Sequence, residues 1–283
     1  MLEVRRATVY WLAGMAKALQ LYSSTMHTAL NYLDRVWATA HVKQDRVLEV
    51  AAACLLIAAK FDERPDRAPL ISEYVAADPQ RRITAAGVAS SELLILQHLG
   101  WRMRVATRLH FLGLYRDLGL FTAADRLDGR APSHAERTFA DGYAKFFCDL
   151  ACQDPDLMRF PASTAAAAAA AAARDVAGIV PVLPEELEER LGMYEADIAA
   201  CYSSMCAAFR RDFAETSASA RGSFGAALSS CGGCRTETPV LSTAAHWSKK
   251  QADSPTNVAI AAQQWAQNEG GELQATYETG NRC

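Results

Sequence analysis

Between residues 23 and 37 the apolar side chains Met26, Ala29, Leu30, Leu33, Val36 and Trp37 recur at the spacing of one helical face. Ser23-Ser24-Thr25 stands in front of them and supplies the hydroxyls that favour a helix start. Comparable spacings return up to Glu215, and nowhere in that stretch do apolar and polar residues alternate long enough to predict a strand. Asp45 and Thr84 open further helices. The segment from Arg46 to Phe61 holds Val47, Leu48 and Val50 and then Ala51 to Ala59 with scarcely a polar atom, so protein must cover it on every side. A second such segment, Ala162 to Ala177, follows about 115 residues later, again preceded by a helical stretch and followed by a short acidic helix and a longer one. The pattern predicts an all-α protein built from one helical module used twice. Alanine suits a surrounded helix because it lets backbones approach closely and has the best helix propensity. The alternative for the alanine run is a low-complexity expansion tolerated at a helix position.

Pro65-Asp66-Arg67, Asp78-Pro79-Gln80, Asp128-Gly129-Arg130-Ala131-Pro132 and the stretch from Pro181 to Pro184 read as loops. Beyond Glu215 the composition turns to Ser, Ala, Gly, Thr, Gln and Asn without apolar period, which predicts a largely disordered tail. The expected units are therefore 1–103, 104–215 and a low-complexity tail over 216–283.

Composition narrows the function. In 283 residues, 29 basic and 32 acidic side chains nearly cancel, so no nucleic-acid partner and no anionic membrane surface is expected. The longest apolar runs, Val50 to Ala59 and Ala165 to Ala173, fall short of the roughly 20 residues that cross a bilayer. Met1-Leu2-Glu3-Val4-Arg5-Arg6 does not read as a secretory signal, so a reducing intracellular location, nucleus or cytoplasm, is expected. Of the eight cysteines, Cys54, Cys148 and Cys152 lie in apolar helical stretches where a thiol acts as a small hydrophobe. Cys231-Gly-Gly-Cys234 has the spacing of half a zinc site, but no second pair completes four ligands, and it reads as two thiols on a solvated tail. No metal or cofactor is implied.

Two charges break the helical pattern. Glu92 lies four residues from both Val88 and Leu96, on a stripe with Ile95 and Leu99, and Lys60 continues the stripe of Ala53, Leu56 and Ile57. Periodicity alone leaves two readings open for each: a charge that seeks a partner, or a lysine at a helix C-terminus and a surface glutamate at the stripe's edge. Asp34 reads equally as an ordinary solvent-facing residue in mid-helix. Catalytic patterns give little: there is no phosphate-cradling Gly-rich loop after a strand, no His-Glu-x-x-His and no nucleophile elbow. The six histidines stand isolated in the sequence and read as surface or core-edge residues.

Thr25-Met26-His27-Thr28-Ala29-Leu30-Asn31-Tyr32-Leu33-Asp34-Arg35, then Ala52 to Ala59 and Lys60-Phe61-Asp62-Glu63, closely resembles the cyclin box. Arg5 ahead of Trp11-Leu12 resembles the family's first helix, and Glu92-Leu93-Leu94-Ile95-Leu96-Gln97-His98-Leu99-Gly100-Trp101 resembles the end of the box. Phe160-Pro161-Ala162-Ser163, Leu183-Pro184-Glu185-Glu186-Leu187 and Tyr194-Glu195-Ala196-Asp197-Ile198 are similar to the family's C-terminal cyclin fold, with weaker motifs.

The resemblance implies two tandem five-helix cyclin folds, each with a buried central helix, and a regulatory rather than catalytic protein that binds a cyclin-dependent protein kinase. It implies that Lys60 and Glu92 converge on the kinase-gripping surface, with Phe61, Glu63, Ile57, Trp101 and Met103 beside them. It also implies a structural ion pair between Arg5 and Asp34. The family's substrate-docking patch, which serves kinase substrates or inhibitors, would fall on Val4, Ala7, Thr8 and Trp11; only Trp11 keeps the usual large apolar character. A transcription-type cyclin, or a transcription-factor-IIB-like protein using the same fold on DNA, is the rival reading, although no zinc ribbon or strong basic stripe is visible.

Overall fold

In a computed structural model that describes residues 2–212, the chain folds into helices alone: among the described residues there is no strand, only isolated bridges between Arg126 and Val180 and between Leu127 and Arg130. The first half holds α1 (Leu2–Ala18), α2 (Ser23–Thr39), α3 (Val47–Asp62), α4 (Ile71–Ala76) and α5 (Ala85–His98). The second holds α6 (Arg108–Asp117), α7 (His134–Gln153), a single turn α8 (Pro155–Met158), α9 (Ala162–Val176), α10 (Glu185–Leu191) and α11 (Glu195–Asp212). The expected tail over 216–283, with Cys231 and Cys234, lies outside the described residues. No helix among the described residues is long and apolar enough to cross a membrane.

Each half is organised around its apolar helix. Every residue of α3 from Val50 to Ala59 is buried, and α1, α2 and α5 pack around it. In the second half Ala165 to Ala173 are buried on all sides, with α6, α7 and α11 against them. Small side chains let three neighbours reach one backbone, which is why the alanine run is core.

Charged residues finish both modules. After α3 ends, Glu63 turns inward and accepts hydrogen bonds from the Tyr22 N–H at 2.7 Å and the Thr25 hydroxyl at 2.8 Å. A carboxylate therefore sits on the N-terminal turn of α2, where it meets orphan donors and the positive end of the helix dipole. At the other end of α3, Glu49 accepts from the N–H and hydroxyl of Thr84, the N-cap of α5. Gly87 leaves room for this contact, because a Cβ there would stand 1.8 Å from the Glu49 carboxylate and push it away from Thr84.

In the second half Arg174 is 1% exposed and Asp125 0%. The guanidinium donates to both Asp125 oxygens and to the carbonyls of Leu120 and Pro181, tying the α6–α7 and α9–α10 connections to the end of α9.

The two halves meet along a polar seam. Arg5 forms a two-pronged pair with Asp34 at 2.8 and 2.9 Å and sends its third nitrogen 2.9 Å to the Cys152 carbonyl at the end of α7. It thus joins α1 to α2 and one half to the other. Asp34→Ala strands a guanidinium that is largely shielded from water, and is expected to cost about 3 kcal/mol in urea-induced unfolding.

Beside it, His27 on α2 places Nε2 2.7 Å from an Asp149 oxygen, and its Nδ1 lies 3.4 Å from the Cys152 sulfur. Arg108 of α6 donates to the same sulfur at 3.6 Å. Burial alone would lower the pKa of His27, but the Cys152 charge, followed by the hydrogen bond to Asp149, lifts it from 6.5 to about 10. Burial would raise the Cys152 thiol, and here the charge and hydrogen bond of His27, with Arg108 behind them, pull it below its ordinary value.

A raised imidazolium contributes stability that is whole below 6.5 and lost as pH climbs to about 10. A lowered thiol contributes stability that is whole above 9.0 and lost as pH falls through its folded value. Above 9.0 the thiol's contribution is whole and only the imidazolium's remains to be lost, so this cluster's stabilisation falls as pH climbs to about 10. The stability difference between the chain and a His27→Gln/Cys152→Ser double variant, read from urea midpoints, is therefore expected to shrink as pH rises from 9.0 to about 10.

Candidate functional site

Helix α3 is enclosed until Ala59 and then breaks the surface: Lys60, Phe61 and Asp62 are all exposed. The Lys60 ammonium meets the Glu92 carboxylate of α5 at 2.5 Å, across 32 residues of sequence. The lysine side chain is 52% exposed and the glutamate 22%. Lys60 sits in the last turn of α3, where its charge also suits the negative end of the helix dipole. Glu92 stands at the edge of the buried stripe of α5, which runs through Val88, Ser91, Ile95 and Leu99. Ser91, a small polar residue, takes the inward place and lets the glutamate reach sideways to Lys60.

Large apolar side chains are exposed on the same two helices. Phe61 follows Lys60, Leu93 and Leu94 follow Glu92, and Trp101, the most open of the four at 64%, lies just past α5. Gly100 and Trp101 both adopt left-handed backbone, with φ of +58° and +59°. For a bulky residue such as Trp101 that conformation costs about 1–3 kcal/mol and persists only where neighbours enforce it. They do so from α2: Arg35 donates to the carbonyls of Leu99 and Arg102, and the Tyr32 hydroxyl donates at 2.6 Å to the carbonyl of Met103. The Trp101 N–H closes the turn onto the Leu96 carbonyl.

The sequence-predicted residues divide accordingly. Lys60 and Phe61 come to the surface at the end of α3, Glu92 partly so midway along α5 and Trp101 just past its end, and Met103 is half-buried against the first core. Ile57, 4% exposed, faces the core, and Glu63, 7% exposed, is committed to the start of α2. Neither presents a surface of its own; they build the end of α3 instead of extending the patch, because the helix is still surrounded at Ile57 and Glu63 is needed by two donors. Along α1, Val4 and Ala7 are half-buried, Thr8 is buried with its hydroxyl on the Val4 carbonyl, and Trp11 lies under the Arg82 guanidinium at 5.7 Å. Those four residues offer little open apolar area. Tyr32 and Arg35, which fasten the Trp101 turn, were not marked as site residues from sequence; their backbone partners lie more than 60 residues away. No cluster of metal-binding side chains occurs among the described residues.

The family descriptions "Cyclin, N-terminal domain" and "Cyclin, C-terminal domain" match residues 1–104 and 121–223. Cyclin-J of Xenopus laevis is 27% identical over 223 residues, covering 76% of this chain and 58% of that protein. The chain spans about half the length of the curated relatives it matches. Among solved structures, a viral cyclin from herpesvirus saimiri aligns with a TM-score of 0.57 at 16% identity, covering 74% of this chain and 87% of the other. The CAK complex from Chaetomium thermophilum bound to ATP-gamma-S contains a chain that aligns with a TM-score of 0.52 at 14% identity, covering 98% and 82%. These two likenesses concern the fold.

Proposed function

The chain belongs to the cyclin family, and from that premise we propose that it is a non-catalytic regulatory subunit that docks onto and activates a cyclin-dependent serine/threonine protein kinase, controlling cell-cycle progression. The observation that carries the reading is the Lys60–Glu92 pair, set where the enclosed helix α3 reaches solvent, with exposed Phe61 next to Lys60, exposed Leu93 next to Glu92 and exposed Trp101 just past α5. An ammonium and a carboxylate within an apolar field suit a partner that offers both polar backbone groups and apolar side chains.

The mechanism follows from the kinase's own needs. Phosphoryl transfer requires a helix-borne glutamate of the kinase to pair with the lysine that positions the nucleotide phosphates. A protein that packs against that helix only in its active position shifts the population toward it without adding a catalytic group. Turning a mostly inactive kinase into a mostly active one takes about 5.5 kcal/mol of differential binding, which a few well-packed aromatic and charged anchors can supply.

The test is purification of the tagged full chain from its native cells, identification of co-purifying proteins by mass spectrometry, and a phosphorylation assay on the eluate. The expected result is a bound serine/threonine kinase whose activity exceeds that of the kinase alone by at least about tenfold. An eluate without kinase, or a kinase indifferent to the chain, contradicts the proposal.

A further inference from the structure

We propose that Cys152 is a modification site for hydroperoxides: hydrogen peroxide converts its thiolate, held at the seam between the two helical halves, to a sulfenic acid, with His27 delivering the proton that the leaving group needs.

The geometry distinguishes this sulfur from the other described thiols. It lies 3.4 Å from His27 Nδ1, with Asp149 locking the other ring nitrogen at 2.7 Å and the Arg108 guanidinium at 3.6 Å. A thiolate between an imidazolium and a guanidinium is the reactive form of cysteine. Cys54, Cys148 and Cys201 are buried in the two cores, where burial pushes their thiols up, Cys201 to about 11. Cys206 is partly exposed, and burial pushes its thiol up as well. Cys152 is also buried, 4% exposed and packed on the first core, but its sulfur lies between His27 of α2 and Arg108 of α6 instead of among apolar groups alone. On α2, Asn31 comes one turn after His27 and keeps its Oδ1 buried with no partner among the described residues, and so does Nε of Arg108. Unpaired buried polar atoms of this kind favour entry of a small polar molecule over a bulky reagent.

The step balances. A sulfur lone pair attacks one peroxide oxygen, an S–O bond forms and the O–O bond breaks. The departing hydroxide takes the Nδ1 proton of His27 and leaves as water. Sulfur is oxidised by two electrons, the peroxide is reduced, and Cys152 sulfenic acid remains beside a neutral His27. Asp149 then faces an uncharged ring, so oxidation weakens the link between α2 and α7.

The full chain, free of any partner, would be exposed to hydrogen peroxide for timed intervals, quenched with catalase and unfolded in dimedone, which caps sulfenic acids for peptide mass spectrometry. Cys152 is expected to be capped at least about tenfold faster than Cys54, Cys148 or Cys201, and His27→Gln, checked for folding by circular dichroism, is expected to slow it about tenfold. Should that variant not fold, the pH profile of the unaltered chain decides. An ordinary thiol reacts about tenfold faster per pH unit near neutrality, whereas Cys152 is expected to change less than about threefold. Capping of Cys152 no faster than of Cys148, or a rate that climbs about tenfold per pH unit, overturns the proposal.

Discussion

Lys60→Ala and Glu92→Ala are each expected to strip the kinase from a purification of this chain while leaving its thermal melt almost unmoved. The two readouts part because the pair plays different parts in the two settings. In the free protein Lys60 is half in water, and an exposed ion pair contributes only about 0–1 kcal/mol, which for a chain of this size shifts the melting temperature by no more than about 4 °C. Under a docked partner the same charges lose their water, and truncating one member of a hydrogen-bonded charge pair in an interface costs about 2–5 kcal/mol, a 30-fold or greater loss of affinity. Lys60→Arg retains the charge but replaces a compact ammonium with a planar fork, and should recover only part of the binding. Variants that melt normally and still retain the kinase would remove this patch from the account.

Asp125→Ala is expected to have the opposite profile: a large loss of stability in a residue far from the docking face. Arg174 is enclosed at the end of α9, and without Asp125 its charge keeps the carbonyls of Leu120 and Pro181 and the face of Phe121 but no anion. Stranding a buried charge in this way costs about 3–5 kcal/mol, or roughly a 10 °C fall in melting temperature. Adding Arg174→Met to that variant is expected to return part of the loss, since an apolar replacement removes the stranded charge. The return is incomplete because those two carbonyls then lose their donor. A melt within about 1 °C of the parent for Asp125→Ala would show that the pair is not what closes the second module.

These two sites also show how far the amino-acid pattern reaches. The enclosed helices are readable because a stretch such as Ala51 to Ala59 has no polar face to give to water, and the same holds for Ala165 to Ala173. Lys60 and Glu92 are readable as exceptions to a helical stripe, though the stripe of α5 turns out to run through Ser91, with Glu92 at its margin. Ile57 and Glu63 lie next to the patch in sequence yet point inward, since a surrounded helix keeps its last apolar turn covered and the carboxylate is taken by the start of α2.

Partners distant in the chain leave no periodic trace. His27 looks isolated because Asp149 and Cys152 lie 122 and 125 residues away. Arg174 looks like the polar end of an alanine run because Asp125 comes from a loop 49 residues earlier. Only the packing of one half on the other, and of loops on α9, brings such groups together.

The central claim is that the ends of α3 and α5 form the face that meets a kinase. Amide hydrogen–deuterium exchange of the full chain, alone and with the kinase recovered from its own purification, tests it most directly. The account predicts that slowed exchange concentrates over residues 60–64 and 92–103. Protection confined to α10 and α11, with the Lys60 and Trp101 segments exchanging as in the free chain, would contradict it.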